Sequence, residues 1–121
     1  MPSTQVSPLR VHRSDDGRVV RLMLSGELDM ATAASLELEL QNAEATRPPV
    51  LVLDLEQLRF MGVSGLRSIL DAARRARRDG RHFVVTNPVP HISRLFELTA
   101  IDQSVELMRG PLHADAGLAT L

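Results

Sequence analysis

Ser64 stands directly before Gly65-Leu66, at the head of a segment in which Leu66, Ile69, Leu70 and Ala73 recur at i, i+3, i+4 and i+7. A hydroxyl in that place can accept from the free N–H groups of a first helical turn, a capping role worth about 0.5–2 kcal/mol. The same N–H groups and the positive end of the helix dipole favour an anion, so a phosphate on Ser64 need not unfold the domain. A phosphoserine adds about 1.5–2 negative charges. Set against a partner surface that expects Leu58, Phe60, Met61 and Val63, those charges would be desolvated without a counter-charge. A loss of about 4 kcal/mol is a thousandfold in affinity, enough for an on/off switch. The chemistry these residues suggest is a docking surface that a group transfer turns off.

Other candidates carry less. Asp54 ends the apolar run Val50–Leu55, where a phosphoaspartate receiver carries its acceptor, but a receiver also needs a lysine and the chain has none. Asp54 is read as a strand-terminal residue bonded to nearby backbone. The absence of lysine also excludes Schiff-base chemistry and a P-loop lysine. With zero cysteines there is no thiol nucleophile, cysteine zinc site, iron–sulfur cluster or disulfide framework. His12, His82, His91 and His113 are scattered without a ligand spacing, so no metal is expected. No GxGxxG, Walker A or GxSxG motif is present, and neither a cofactor nor a catalytic residue is assigned. Arg74, Arg75, Arg77, Arg78 and Arg81 crowd the end of the helix that follows Ser64. They read as a solvated face suited to the negative helix end, with a docking patch for an acidic surface or RNA as the alternative.

The elements that position these residues follow from periodicity. Leu9 to Arg13 and Val19 to Leu24 read as an antiparallel pair joined at Asp16-Gly17. From Ser25 to Asp29 the period changes to 3.6, with Asp29 as N-cap of a helix carrying Ala33, Leu36, Leu40 and Ala43 and stopped by Pro48-Pro49. VLVLDL, Val50 to Leu55, reads as a strand covered on both faces. After a loop from Glu56 to Val63 comes the second helix, closed by Gly80. His82 to Thr86 is another strand. Asn87-Pro88 reads as N-cap and first residue of a third helix carrying Ile92, Leu95 and Phe96. Val105 and Leu107 suggest a last short strand. The order β-β-α-β-α-β-α-β predicts an α/β fold with a mixed, mostly parallel sheet and right-handed crossovers. One domain over residues 1–110 is expected, with 111–121 a tail or short helix.

At 121 residues the chain can bury a sizeable core. Its net charge of -1 argues against nucleic acid as a partner. No run approaches a membrane span and no basic-then-apolar leader opens it, so a cytoplasmic protein is expected.

Ser25-Gly26-Glu27-Leu28-Asp29, the strand VLVLDL, Phe60-Met61, Ser64-Gly65-Leu66 and Arg94 to Thr99 before Ile101-Asp102 occur in order over residues 18–108. Together they resemble the STAS-domain anti-sigma factor antagonists. The resemblance implies a small sheet with helices mainly on one side. It also implies that Ser64 is the phosphoacceptor for a partner that is both anti-sigma factor and serine kinase. The unphosphorylated protein would bind that partner and free a sigma factor for transcription. Phosphorylation would release it, and a phosphatase would reset it; ATP belongs to the kinase. The partner surface implied is Asp29, Leu58, Phe60, Met61, Gly62, Val63, Ser64, Gly65 and Arg67. The chain departs from the family's usual Asp-Ser-Ser-Gly-Leu or Asp-Ser-Thr-Gly-Leu, because Gly62 and Val63 replace the aspartate and the first hydroxyl. A binder that is never phosphorylated and a small-ligand or nucleotide sensor are the competing functions, and a monomer or weak dimer is expected.

Overall fold

The structure, a computed structural model, describes residues 8–109. β1 (Arg10–Asp15) and β2 (Val19–Leu28) form an antiparallel hairpin. Its turn is closed by two carboxylates, Asp15 accepting the Gly17 N–H at 2.8 Å and Asp16 accepting those of Val19 and Arg18 at 2.8 and 3.0 Å. These donors, Gly17 first for Asp15 and Val19 first for Asp16, hold both acids below the usual carboxylate range. There follow α1 (Ala33–Ala45), β3 (Val50–Met61), α2 (Val63–Asp79), β4 (His82–Thr86), α3 (Pro90–Thr99), a 3₁₀ turn at Ile101–Gln103 and β5 (Glu106–Met108).

The five strands lie in chain order, with β2 to β5 all parallel. Each right-handed crossover therefore steps the same way and drops its helix on the same face. One continuous core results: Leu22, Leu24, Leu51, Leu53, Phe83 and Val85 from the strands meet Leu36 and Leu40 of α1, Ile69 of α2, and Ile92 and Phe96 of α3. This is the one-sided helical packing that the resemblance implied. On the opposite face Val50, Val52 and Val84 are also buried, and Arg21 Nη2 donates to Asp54 Oδ2 at 2.6 Å. Asp54 is thus inside a strand and ion-paired, in addition to accepting the Glu56 N–H at 3.0 Å. Gly80 ends α2 in the left-handed conformation, φ 70°.

Four boundaries differ from expectation. β2 runs to Leu28, and the expected loop from Glu56 is strand as far as Met61, because the two extensions pair with each other through Gln57, Leu58, Phe60 and Met61. Register shifts at Met23/Ser25 and Gly26/Glu27 interrupt the alternation. Gly26 supports the irregularity at φ 95°, where a Cβ would run into the Pro8 carbonyl. Asp29 is not the N-cap of α1; that place belongs to Thr32, one short turn later. The third helix starts at Pro90 with Val89 as N-cap, while Asn87 takes a left-handed turn and donates its N–H to the Met108 carbonyl at 3.0 Å. Both prolines suit a first turn, and the turn at Asn87 delays the helix to the second. Residues 1–7 and the expected tail or helix at 111–121 lie outside the described residues.

Candidate functional site

The extended β2 and β3 end side by side, and the Gly62 N–H ties them by donating to the Leu28 carbonyl at 2.8 Å. Beyond β2, Asp29 Oδ1 accepts the N–H groups of Ala31 and Thr32 at 3.0 and 3.1 Å, while Thr32 Oγ1 donates to the Glu27 carbonyl at 3.0 Å. Asp29 therefore builds the β2–α1 turn and lifts Met30 to its crest. Beyond β3, Gly62 is the N-cap of α2, and its carbonyl accepts from Gly65 and Leu66 at 3.1 and 3.2 Å. Ser64 is then the second residue inside the helix. The expected cap role of its hydroxyl does not occur, because the strand persists to Met61 and moves the turn to Gly62. Ser64 Oγ has no hydrogen-bond partner among the described residues, and the residue is half-buried.

The residues expected to form one surface separate into two layers. Leu58 and Met61 are core residues, 0% and 4% exposed, and Gly65 is buried with them. They are corrected from contact residues to supports, since the strand extension turns them under the helices. Gly65 has a packing reason: a Cβ there would stand 2.6 Å from Leu28 Cγ and Cδ2 and 3.0 Å from Met61 Cγ. Outside this layer Phe60 is 47% exposed and Val63 73%, as a partner surface requires. Met30, 84% exposed, joins them from the β2–α1 turn and was not anticipated from the sequence. A single apolar residue beside Asp29 carries no period that would mark it as exposed.

Ser64 opens onto a groove of about 350 Å³ whose walls include Ala33, Ala34 and Glu37 of α1 and Val63 and Arg67 of α2. Arg67 is exposed and carries no bonded partner among the described residues. Glu37 is committed elsewhere: Arg75 Nη2 lies 3.0 Å from its Oε2, close but not aligned as a hydrogen bond, while Arg75 Nε donates to both Glu44 oxygens at 2.9 and 3.1 Å. Burial opposes the charge on Arg75, but the Glu44 hydrogen bond and the Glu44, Glu37 and Asp71 charges outweigh it and hold its pKa above the ordinary value. Two of the histidines do structural work. His91 Nε2 donates to the Arg59 carbonyl at 2.7 Å, pinning the start of α3 to β3, and His82 pairs with Glu106 at 3.0 Å. None of the described residues hydrogen-bonds Ser64 as a base would. The arrangement presents an uncommitted hydroxyl, a helix N-terminus and an arginine inside an apolar rim, suited to receiving a group and displaying it.

Among known proteins, the fold is similar to a crystal structure of an anti-sigma factor antagonist from Mycobacterium paratuberculosis, 30% identical, TM-score 0.80, over 95% of this chain and 97% of that one. The anti-sigma-F factor antagonist RsfB of Mycobacterium tuberculosis is 39% identical over 54 residues, 45% of this chain and 44% of RsfB. A protein-glutamate methylesterase/protein-glutamine glutaminase of Rhodopseudomonas palustris is 41% identical over 75 residues, 56% of this chain and 20% of that protein. The matches thus span less than half of RsfB and about a fifth of the methylesterase. The family model described as "Mlab, STAS domain" matches residues 11–110, and the chain belongs to this STAS-domain family.

Proposed function

We propose that this chain is a non-enzymatic anti-sigma factor antagonist that docks its anti-sigma factor on the Met30, Phe60 and Val63 surface. Phosphorylation of Ser64 by the partner's serine kinase activity switches it off, freeing the anti-sigma factor to recapture its sigma factor. A phosphatase restores binding. The observation that carries this reading is the Ser64 hydroxyl, free of any hydrogen bond among the described residues and set beside exposed Val63 at the head of α2. The antagonists of similar sequence and fold support the class of partner.

A phosphate there would be tolerated by the fold, because it would stand in the first turn of α2, at the positive end of the helix dipole. It would not be tolerated by an apolar partner surface, because its charge would lose water without gaining a counter-ion. Val63 and Met30 supply apolar area that water leaves on docking, at about 25 cal/mol per Å². Against a purified anti-sigma factor kinase, Ser64→Ala should bind as the wild type does, and Ser64→Asp should lose at least a hundredfold in affinity. Equal binding by both variants would sink the switch.

Gly62 favours a second reading, a constitutive STAS binder. As N-cap it offers no side chain to order the acceptor, and no side-chain bond caps α2. Phosphopeptide mapping of protein recovered from its native cells in two growth states separates the readings: a phosphoryl group on Ser64 in one state contradicts the constitutive binder.

A further inference from the structure

α2 is about 25 Å long, and the end remote from Ser64 holds a cluster the switch does not use. There the loops after α1 and α2 enclose a cleft of about 930 Å³, lined by Arg47, Pro48, Pro49, Arg78, Asp79 and Arg81 among others. Its volume falls in the range of small-molecule sites. Arg81 is the unusual member. Its side chain is only 6% exposed, Nη2 stands 3.5 Å from Asp79, and Nε and Nη1 are buried without a hydrogen-bond partner. A buried N–H lacking an acceptor is strongly unfavourable, and a guanidinium more so.

The other charges leave this demand unmet. Arg78 Nε donates to Asp79 at 3.1 Å, so that one carboxylate serves two guanidiniums. Glu44 also borders the cleft but is held by Arg75. Arg47 is exposed, has no bonded partner among the described residues, and takes a left-handed conformation at φ 54°. The C-terminal carbonyls of α1 and α2 point toward this end and draw arginines to it, yet they leave Nε and Nη1 of Arg81 unbonded. Two guanidiniums therefore share one carboxylate, and a third, that of Arg47, lines the same cleft without a partner among the described residues.

We propose that this cleft is a binding site for a small molecule bearing two or three linked phosphates. The phosphate oxygens would bridge Arg47 and Arg78, and a turn of the Arg81 guanidinium toward the cleft would give its unpaired N–H groups their acceptors. Arginine forks match phosphate oxygens in geometry and charge, and the cleft is wider than a single phosphate needs. Among the described residues no aromatic side chain lines it, so recognition rests on the phosphate chain rather than on a stacked base.

The probe is inorganic tripolyphosphate, titrated into the full chain at about 20 mM salt, where screening is weak. Calorimetry should show saturable binding, and amide shifts should concentrate at residues 44–49 and 78–82. Because Arg81 is buried and its variants can unfold, the test uses Arg47→Gln with Arg78→Gln. This double variant should keep its melting temperature and weaken tripolyphosphate at least tenfold, while Arg10→Gln, on the exposed strand β1, leaves the tripolyphosphate affinity unchanged. Absence of saturation below about 1 mM, equal binding by the double variant, or a response to RNA oligomers without one to tripolyphosphate would each overturn the site.

Discussion

The two ends of α2 are built in opposite ways. At the Ser64 end the surface is held from beneath: β2 and β3 are long, their ends are tied by backbone hydrogen bonds, and Gly65 lies against Leu28 and Met61. Met30, Phe60 and Val63 stand outside that scaffold and fasten nothing. At the arginine end the surface side chains are themselves the fastening, with Arg75 joining α2 to Glu37 and Glu44 of α1. A surface held from beneath can change its outward residues with little effect on stability, and so is free to serve recognition. A surface held by its own ion pairs has committed most of its charges, which makes the unmet donors of Arg81 conspicuous.

The sharpest way to break this contrast is Gly65→Val. The new Cβ would overlap Leu28, which is fully buried and cannot swing into solvent. Overpacking of this kind costs about 1–3 kcal/mol, and the upper end is expected because Leu28 and Met61 are both crowded. Chemical denaturation should show a lower midpoint with an unchanged slope. A variant as stable as the wild type would mean that the Ser64 surface does not rest on its under-layer.

At the other end, Arg75→Gln should have the next largest effect. It leaves Glu44, whose side chain is 12% exposed, without the Nε–H donor that its two oxygens share, and removes the cation beside Glu37. Hydrogen bonds to charged groups are worth about 1.5–3 kcal/mol; with Arg75 itself 22% exposed, water recovers part of this and a loss near the lower figure is expected. The same substitution should leave binding at the Ser64 surface unchanged, measured as affinity for a purified anti-sigma factor, the proposed partner. A combined loss of stability and partner affinity would show that the two ends are coupled through α1.

How much of this was legible depends on periodicity. The strand VLVLDL and the stripe from Leu66 to Ala73 carry unbroken patterns, and both elements lie where those patterns put them. The continuation of β2 and β3 was hidden because the register shifts near Gly26 break the alternation and because Glu56, Gln57 and Arg59 give the segment a loop-like composition. One consequence spread through the site. Reading a loop from Glu56 to Val63 put Leu58 and Met61 on the surface and made Ser64 a cap, whereas the true strand buries the first two and frees the third. The N-cap read at Asp29 lies one turn early, since Asp29 and Thr32 are both competent to open a helix and the structure uses Thr32. Met30 was invisible, because a single exposed residue in a turn has no period.

The smallest effect, and the most discriminating, is expected from Gly62→Asp. Gly62 adopts φ -96° and ψ -175°, an extended conformation open to any residue, so glycine is not required there by the backbone. A Cβ would meet only ordinary contacts, 3.5 Å from the Phe60 ring and 3.9 Å from Asp29 Cα. The carboxylate can then accept N–H groups of the first turn of α2, which now has no side-chain cap. Relative to glycine, a capping aspartate gains only a few tenths of a kcal/mol, read as a rise in melting temperature of about a degree or two. Its effect on Ser64 should be larger. The carboxylate stands two residues before the hydroxyl and orders the turn that presents it, so a purified anti-sigma factor kinase should phosphorylate the variant faster than the wild type. A stability gain without a rate gain would mean that the acceptor is already ordered by the strand ends beneath it, and that Gly62 and Val63 set the affinity of docking rather than the speed of the switch.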